Sequence, residues 1–292
     1  MGIGKGHRAA PLTVHNPRTG QEFISVRWPG SRPTGPNCKI VRNEALQRAL
    51  MLILSLSGMR DGRFRFVLLA GSVPGQFLRG ILAYAGANWA EHGSDEIGEI
   101  MGRHPSGQPI PFMGPPVLVD NANGFSIAQM PAIAWYLGEK LDLLPQSLEA
   151  RAQTMKVVND ANDVLDEITL DGGREMWTGE KWRGFMPRLR RWMEIWEATG
   201  RAGGLVSDGG TLFGTRDPGL ADIVTATLWS TISERFAVIA TVLAETAPQV
   251  DALVRRMQAT PGLALLAQVS RTRYGDAYCG GEIEKSLRAV AS

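Results

Sequence analysis

The sequence predicts a mixed α/β half followed by an all-helical half, and three observations predict it. A compact apolar run, Phe64 to Leu69, leads through a turn-rich loop into residues at helical spacing and then a second extended run. Two short apolar segments, Pro116 to Val119 and Phe125 to Ala128, flank Asn121, Asn123 and Gly124, residue types that tolerate the positive φ of a hairpin turn. After Pro145-Gln146-Ser147, apolar residues recur at helical intervals.

Length and composition set the frame. A chain of 292 residues can build two domains of ordinary size. Its 44% hydrophobic and 21% charged residues are those of a globular protein. The net charge of +2 is unevenly spread: residues 1–58 carry eight Lys/Arg against two Glu, leaving 23 basic against 27 acidic residues beyond. No strong basic field remains on the folded part, which argues against nucleic acid as a partner. Two cysteines, Cys38 and Cys279, and four histidines show no metal-ligand spacing, so no metal is expected and a reduced, cytoplasmic setting is.

Residues 1–58 read as a basic extension with little structure. Met1 to Asn43 is rich in Pro, Gly, Arg, Ser and Thr, with Glu22 to Val26 as a short strand-like alternation. Glu44 to Ser57 fits one apolar-faced helix, but its apolar core is too short to span a bilayer, so no membrane is expected. Met59 stands directly before the first strand, which makes it a candidate native start.

Residues 59–144 form the first predicted domain. Phe64 to Leu69 is a strand, followed by the loop Ala70 to Gly75. Phe77, Leu78, Ile81, Leu82 and Ala85 repeat helically, with Gly86 as the stop, and Ala87 to Glu91 is the second strand. Asp95 to Gly102 reads as a short helix before an extended loop. After the hairpin, Met130, Ile133, Ala134, Leu137 and Leu141 mark one helix face. The order βαβ then ββα is the thioredoxin-like arrangement, its parallel pair joined by a crossover helix.

Residues 148–280 form the helical domain, and 281–292 a tail. Leu148, Ala152, Met155, Val158, Leu165 and Ile168 describe a long amphipathic helix, and Lys181 to Thr199 a second one bearing Trp182, Leu189, Trp192, Ile195 and Trp196. In LFGTRDPGLADIVTATL, Asp222 lies three residues after the cap position, Gly219, so half of a capping box is available. APQVDALVRRMQATPGLALL reads as a late helix pair.

The stretch GPPVLVDNANGFSIAQMPAIAWYLGEKLDLL, Gly114 to Leu144, resembles the glutathione-binding core of glutathione transferases. The buried-helix cap at Asp222 and the late helix pair resemble the same family, and the likeness runs from about Phe64 to Leu266. It implies a thioredoxin-like domain followed by a helical C-terminal domain, commonly as a homodimer. It also implies that the enzyme activates the thiol of glutathione, its co-substrate, for attack on an apolar electrophilic small molecule, a detoxification chemistry. The physical parts suit that ligand: a helix N-terminus presents unpaired N–H groups to a carboxylate, and a strand edge pairs with an extended peptide.

The resemblance assigns site residues. Pro116 is similar to the family's cis-proline. Pro115 stands where the family usually has Val or Leu, whose N–H and C=O pair with the cysteinyl unit. Proline keeps the acceptor and loses the donor, at a cost of about 1 kcal/mol in glutathione affinity. Gln129 would hold the γ-glutamyl end by its side chain, and Met130, in place of a usual Ser, by its N–H. Arg103 is the candidate cation for the glycine carboxylate. Asp163 would reach the γ-glutamyl amine of a neighbouring subunit's ligand; both residues also have a reading as plain solvated surface. No Tyr or Cys follows the first strand, so Ser72 is the hydroxyl placed to stabilise the thiolate, and as a helix-cap or loop serine it has a purely structural reading too. Retention of the ligand without turnover, as a binding or regulatory protein, and glutathione-dependent peroxidase, dehalogenase or ether-cleaving chemistry are the alternatives.

Overall fold

The computed structural model describes residues 11–15, 22–26, 63–67, 73–91 and 94–291. Its chain divides into two compact units, Met1–Asn43 and Glu44–Ser292. In the first, β1 (Pro11–His15) pairs antiparallel with β2 (Glu22–Val26), Leu12 opposite Ser25 and Val14 opposite Phe23. The strand-like alternation Glu22 to Val26 is β2. A hairpin gives the facing backbone groups partners even where apolar residues are few. The helix expected over Glu44 to Ser57, and Met59, lie outside the described residues.

The second unit opens on a four-stranded sheet in the order β4-β3-β5-β6, made of β3 (Phe64–Val67), β4 (Trp89–Glu91), β5 (Val117–Asp120) and β6 (Phe125–Ala128). β3 and β4 are parallel, and the crossover between them is α1 (Val73–Ala85), ended by Gly86 at φ 64°. β5 pairs antiparallel with β3 and with β6. The period of two splits the strands cleanly. Phe64, Phe66 and Leu118 face the main core with α1 and α3 (Met130–Lys140). On the other side, Val117 packs with Ile97 and Ile100 of α2 (Ser94–Gly102). The thioredoxin-like order read from the sequence is the order of the chain.

The helical half follows as α4 (Leu148–Ile168), α5 (Gly179–Ala202), α6 (Leu220–Arg235), α7 (Ala237–Thr246), α8 (Pro248–Gln258), α9 (Pro261–Tyr274) and α10 (Gly281–Val290). α10 occupies the segment read as a tail. The buried face of α4 is Val157, Val158, Ala161, Val164, Leu165 and Ile168, rotated from the expected stripe; Leu148 is 76% exposed because it sits in the first turn, short of the packed helices. α6 is buried along nearly its whole length and is the axis around which both halves pack. Two close approaches require glycine. A Cβ on Gly80 would lie 2.5 Å from Thr227 Oγ1 of α6, and one on Gly262 of α9 would lie 2.0 Å from the Ala83 carbonyl oxygen. These crossings bind α1 between α6 and α9 in one continuous apolar core.

Among the described residues no helix is long and apolar enough to cross a membrane, and none form a cluster of three or more metal-ligating side chains.

Candidate functional site

The strand that starts the hairpin is introduced by two prolines, and the Pro115–Pro116 bond is cis. Pro116 is buried and Pro115 half-buried. The ladder begins one residue later, where Val117 faces both Val67 and Ala128. Residues 114–116 make no backbone hydrogen bond to a neighbouring segment among the described residues.

The other end of the hairpin leads directly into α3. Gln129, its N-cap, sits at φ 77° and ψ 124°, a left-handed region that L side chains rarely adopt. Its side chain makes no capping hydrogen bond and is exposed. Its carbonyl accepts from Ile133 N–H at 2.9 Å, so the helix starts at once, with Pro131 in the first turn. Met130 is 2% exposed, its side chain packed in the core while its N–H belongs to the open first turn. Since Val117 pairs with Ala128, the register sets the cis-proline beside Gln129. Pro115, Pro116, Gln129 and Met130 are therefore brought together.

A buried carboxylate that sequence reasoning missed supports this hairpin. Asp120 accepts from Tyr136 Oη at 2.8 Å and from Ala122 N–H at 3.0 Å, tying the turn to α3. The signal was an acid opening an Asn-Gly turn; its partner sixteen residues on was not visible. A second missed pair is Arg79 of α1 with Glu91 of β4. Arg79 Nε and Nη2 donate to the two carboxylate oxygens at 2.7 and 2.9 Å, and Trp89 Nε1 adds a third bond at 3.2 Å. Desolvation pushes the Glu91 carboxyl up, but the Arg79 hydrogen bond and charge outweigh it, and the group titrates below its ordinary value.

The remaining expected residues lie apart from this cluster or outside view. Ser72 lies outside the described residues, immediately before α1. Arg103 is exposed and donates to Glu99 at 2.7 Å, one helical turn back. It borders a cleft with Arg65, Glu99 and Val119 on the sheet face covered by α2. Asp163 is exposed on α4, and desolvation, then the charges of Asp160 and Glu167, hold its carboxyl above the usual value.

The residues just before α10 are structural. Tyr278 is 1% exposed and meets Phe236 edge-on at 5.4 Å. Cys279 is a free thiol pushed up to about 12 by desolvation and the Glu284 charge. Glu284 accepts from the N–H groups of Tyr278, Cys279 and Gly280 at 2.7, 2.8 and 2.6 Å. Cys38 lies outside the described residues.

Asp222 does what half a capping box can do. It accepts from Leu212 N–H at 2.8 Å and Gly219 N–H at 2.9 Å. The cap position holds glycine for a packing reason: a Cβ there would lie 2.9 Å from the Leu143 carbonyl oxygen.

Residues 153–290 match the family model described as glutathione S-transferase, C-terminal domain. No protein of curated function matches the sequence. Among solved structures, the monomeric glutathione S-transferase Na-GST-3 of the hookworm Necator americanus aligns with a TM-score of 0.57 at 19% identity, over 71% of this chain and 97% of its own. The Pi-class glutathione S-transferase of Onchocerca volvulus aligns at 0.57 and 14%, over 72% and 94%. Ure2p in complex with glutathione aligns at 0.56 and 14%, over 75% and 98%. The helical half thus matches the glutathione S-transferase C-terminal domain, and the chain shares the two-domain fold of these glutathione S-transferase structures.

Proposed function

We propose that the protein is a glutathione transferase that conjugates the glutathione sulfur to an apolar electrophile. The observation that carries this reading is the uncapped start of α3, opened by Gln129 at φ 77° beside the cis-proline. Free N–H groups at a helix start favour a carboxylate, and the exposed Gln129 amide adds donors for the γ-glutamyl end. The Pro115 carbonyl receives the cysteinyl N–H. Arg103 is the one cation offered to the glycine carboxylate, and Glu99 holds it at 2.7 Å; in a homodimer Asp163 accepts from the γ-glutamyl amine of the partner's ligand.

In this mechanism the bound thiol gives its proton to solvent, and Ser72 Oγ–H donates to the resulting thiolate. The sulfur lone pair then forms the C–S bond while the leaving group departs with its electron pair. The role is detoxification in the cytoplasm. Retention on immobilised glutathione together with conjugation of an aryl halide is the expected result; failure of both rejects the proposal.

A second reading, a glutathione-binding protein without turnover, is favoured by Pro115, by Met130 in place of a hydroxyl residue, and by the lack of a tyrosine or cysteine after β3. The structure of Ure2p in complex with glutathione shares the fold. Retention without conjugation supports it. Peroxidase, dehalogenase or ether-cleaving activity at the same residues would appear as thiol consumption with the corresponding substrate and not with an aryl halide.

A further inference from the structure

We propose that this site recognises the γ-glutamyl end and the cysteinyl N–H of its thiol ligand, and leaves everything beyond the cysteine carbonyl unread. Its substrate class is then γ-glutamyl thiols at large, with altered or missing C-terminal ends. The inference rests on the reading given under Proposed function and adds its specificity.

An extended peptide lying on a strand is held by alternating bonds, the strand offering an N–H and a C=O in turn. Pro115 and Pro116 are two successive residues with no N–H, so this stretch can only accept. The Pro115 carbonyl is outside the ladder, which starts at Val117, and has no backbone partner among the described residues. It is available to a ligand N–H, while neither proline can return a donor to the ligand's next carbonyl.

The far end of the ligand meets the same shortage. No charged residue occurs between Pro109 and Pro116, and Met113, on the approach to the prolines, is 95% exposed and uncharged. Arg103, the cation offered for a terminal carboxylate, is paired with Glu99 of the preceding helix α2. The opposite end is well supplied, by the exposed Gln129 amide and the uncapped first turn of α3. Recognition is concentrated at one end of the peptide.

Calorimetric titration of the full chain with glutathione, N-(γ-glutamyl)cysteamine and cysteinylglycine tests this. The cysteamine compound lacks the cysteine carbonyl and the glycine; cysteinylglycine lacks the γ-glutamyl group. The dissociation constant of the cysteamine compound should fall within about threefold of that of glutathione, with cysteinylglycine at least about thirtyfold weaker. Glutathione binding about tenfold or more tightly than the cysteamine compound would overturn the inference while leaving the glutathione site standing. Equal binding of glutathione and cysteinylglycine would overturn it as well. Binding of none of the three removes the underlying reading and the inference with it. Pro115→Val supplies the missing donor: it should tighten glutathione about threefold to tenfold and leave the cysteamine compound unchanged. Equal tightening of both would contradict the role given to the carbonyl.

Discussion

Two helices of this chain begin in opposite ways. At α6 the start is closed. Asp222 takes the N–H groups of Leu212 and Gly219, and Leu220 N–H donates to the Leu143 carbonyl at 2.8 Å. At α3 the start is open: Gln129 has an exposed side chain, a left-handed φ and no capping bond. Helix N-termini carry the same unpaired donors everywhere. Where those donors are satisfied by the protein, the helix anchors the fold; where they are left to solvent beside a strained residue, they are available to a ligand. α8 repeats the first pattern, its start covered by Glu197, which accepts from Gln249 and Val250 N–H at 3.1 Å each.

The difference can be broken at either end. The largest effect belongs to the closed helix. Asp222→Ala strands the buried Leu212 N–H and the half-buried Gly219 N–H and should cost about 2–4 kcal/mol in a denaturant titration. Protein that remains folded should bind glutathione as before. Loss of binding with unchanged stability would reverse the roles assigned to the two helix starts. Next is Ser72→Ala, which should lower conjugation turnover at least about tenfold while the glutathione dissociation constant stays within about twofold. Unchanged turnover would remove Ser72 from the chemistry. Gln129→Ala should weaken glutathione by about tenfold and shift stability by less than about 1 kcal/mol, since its side chain is exposed and makes no capping bond.

The fold was legible in the sequence wherever one segment carried its own signal. Gly86 ended α1, Asn123 and Gly124 announced the hairpin, and Asp222 announced the start of α6. Period-three and period-four spacing gave α3 from a handful of apolar residues. What stayed hidden depended on distant partners. Nothing local to Glu91 says that Arg79 will meet it across a helix, or that Glu284 will gather three N–H groups. The buried face of α4 was misjudged at Leu148 because periodicity gives a stripe but not the point at which neighbouring helices begin to cover it. The site was legible in part: the double proline and Gln129 stand out in sequence, whereas the pairing of Arg103 with Glu99 emerges only when Glu99 is placed on α2 and Arg103 directly after its end.

Ionisable groups away from the site give effects that are read against pH. The Glu91 carboxyl lies below its ordinary value of 4.5 in the folded state. Its pairing with Arg79 therefore stabilises the protein above that value, and the contribution is lost as pH falls through the lower, folded value. Melting temperature should drop on acidification from about pH 5 to about pH 3, and Glu91→Gln should flatten that part of the profile at a cost in stability near neutrality. A flat wild-type profile would contradict the pairing. Cys279, with its thiol near 12, should resist iodoacetamide at pH 7.5 to about the degree expected of a protonated thiol, as read by peptide mass mapping.

The most direct test of the central claim is a crystal structure of the protein grown with saturating glutathione. The account predicts the γ-glutamyl carboxylate within hydrogen-bond reach of the Met130 N–H and the cysteinyl N–H on the Pro115 carbonyl. Glutathione bound elsewhere, or density for protein side chains filling the space beside Pro116 and Gln129, would contradict it.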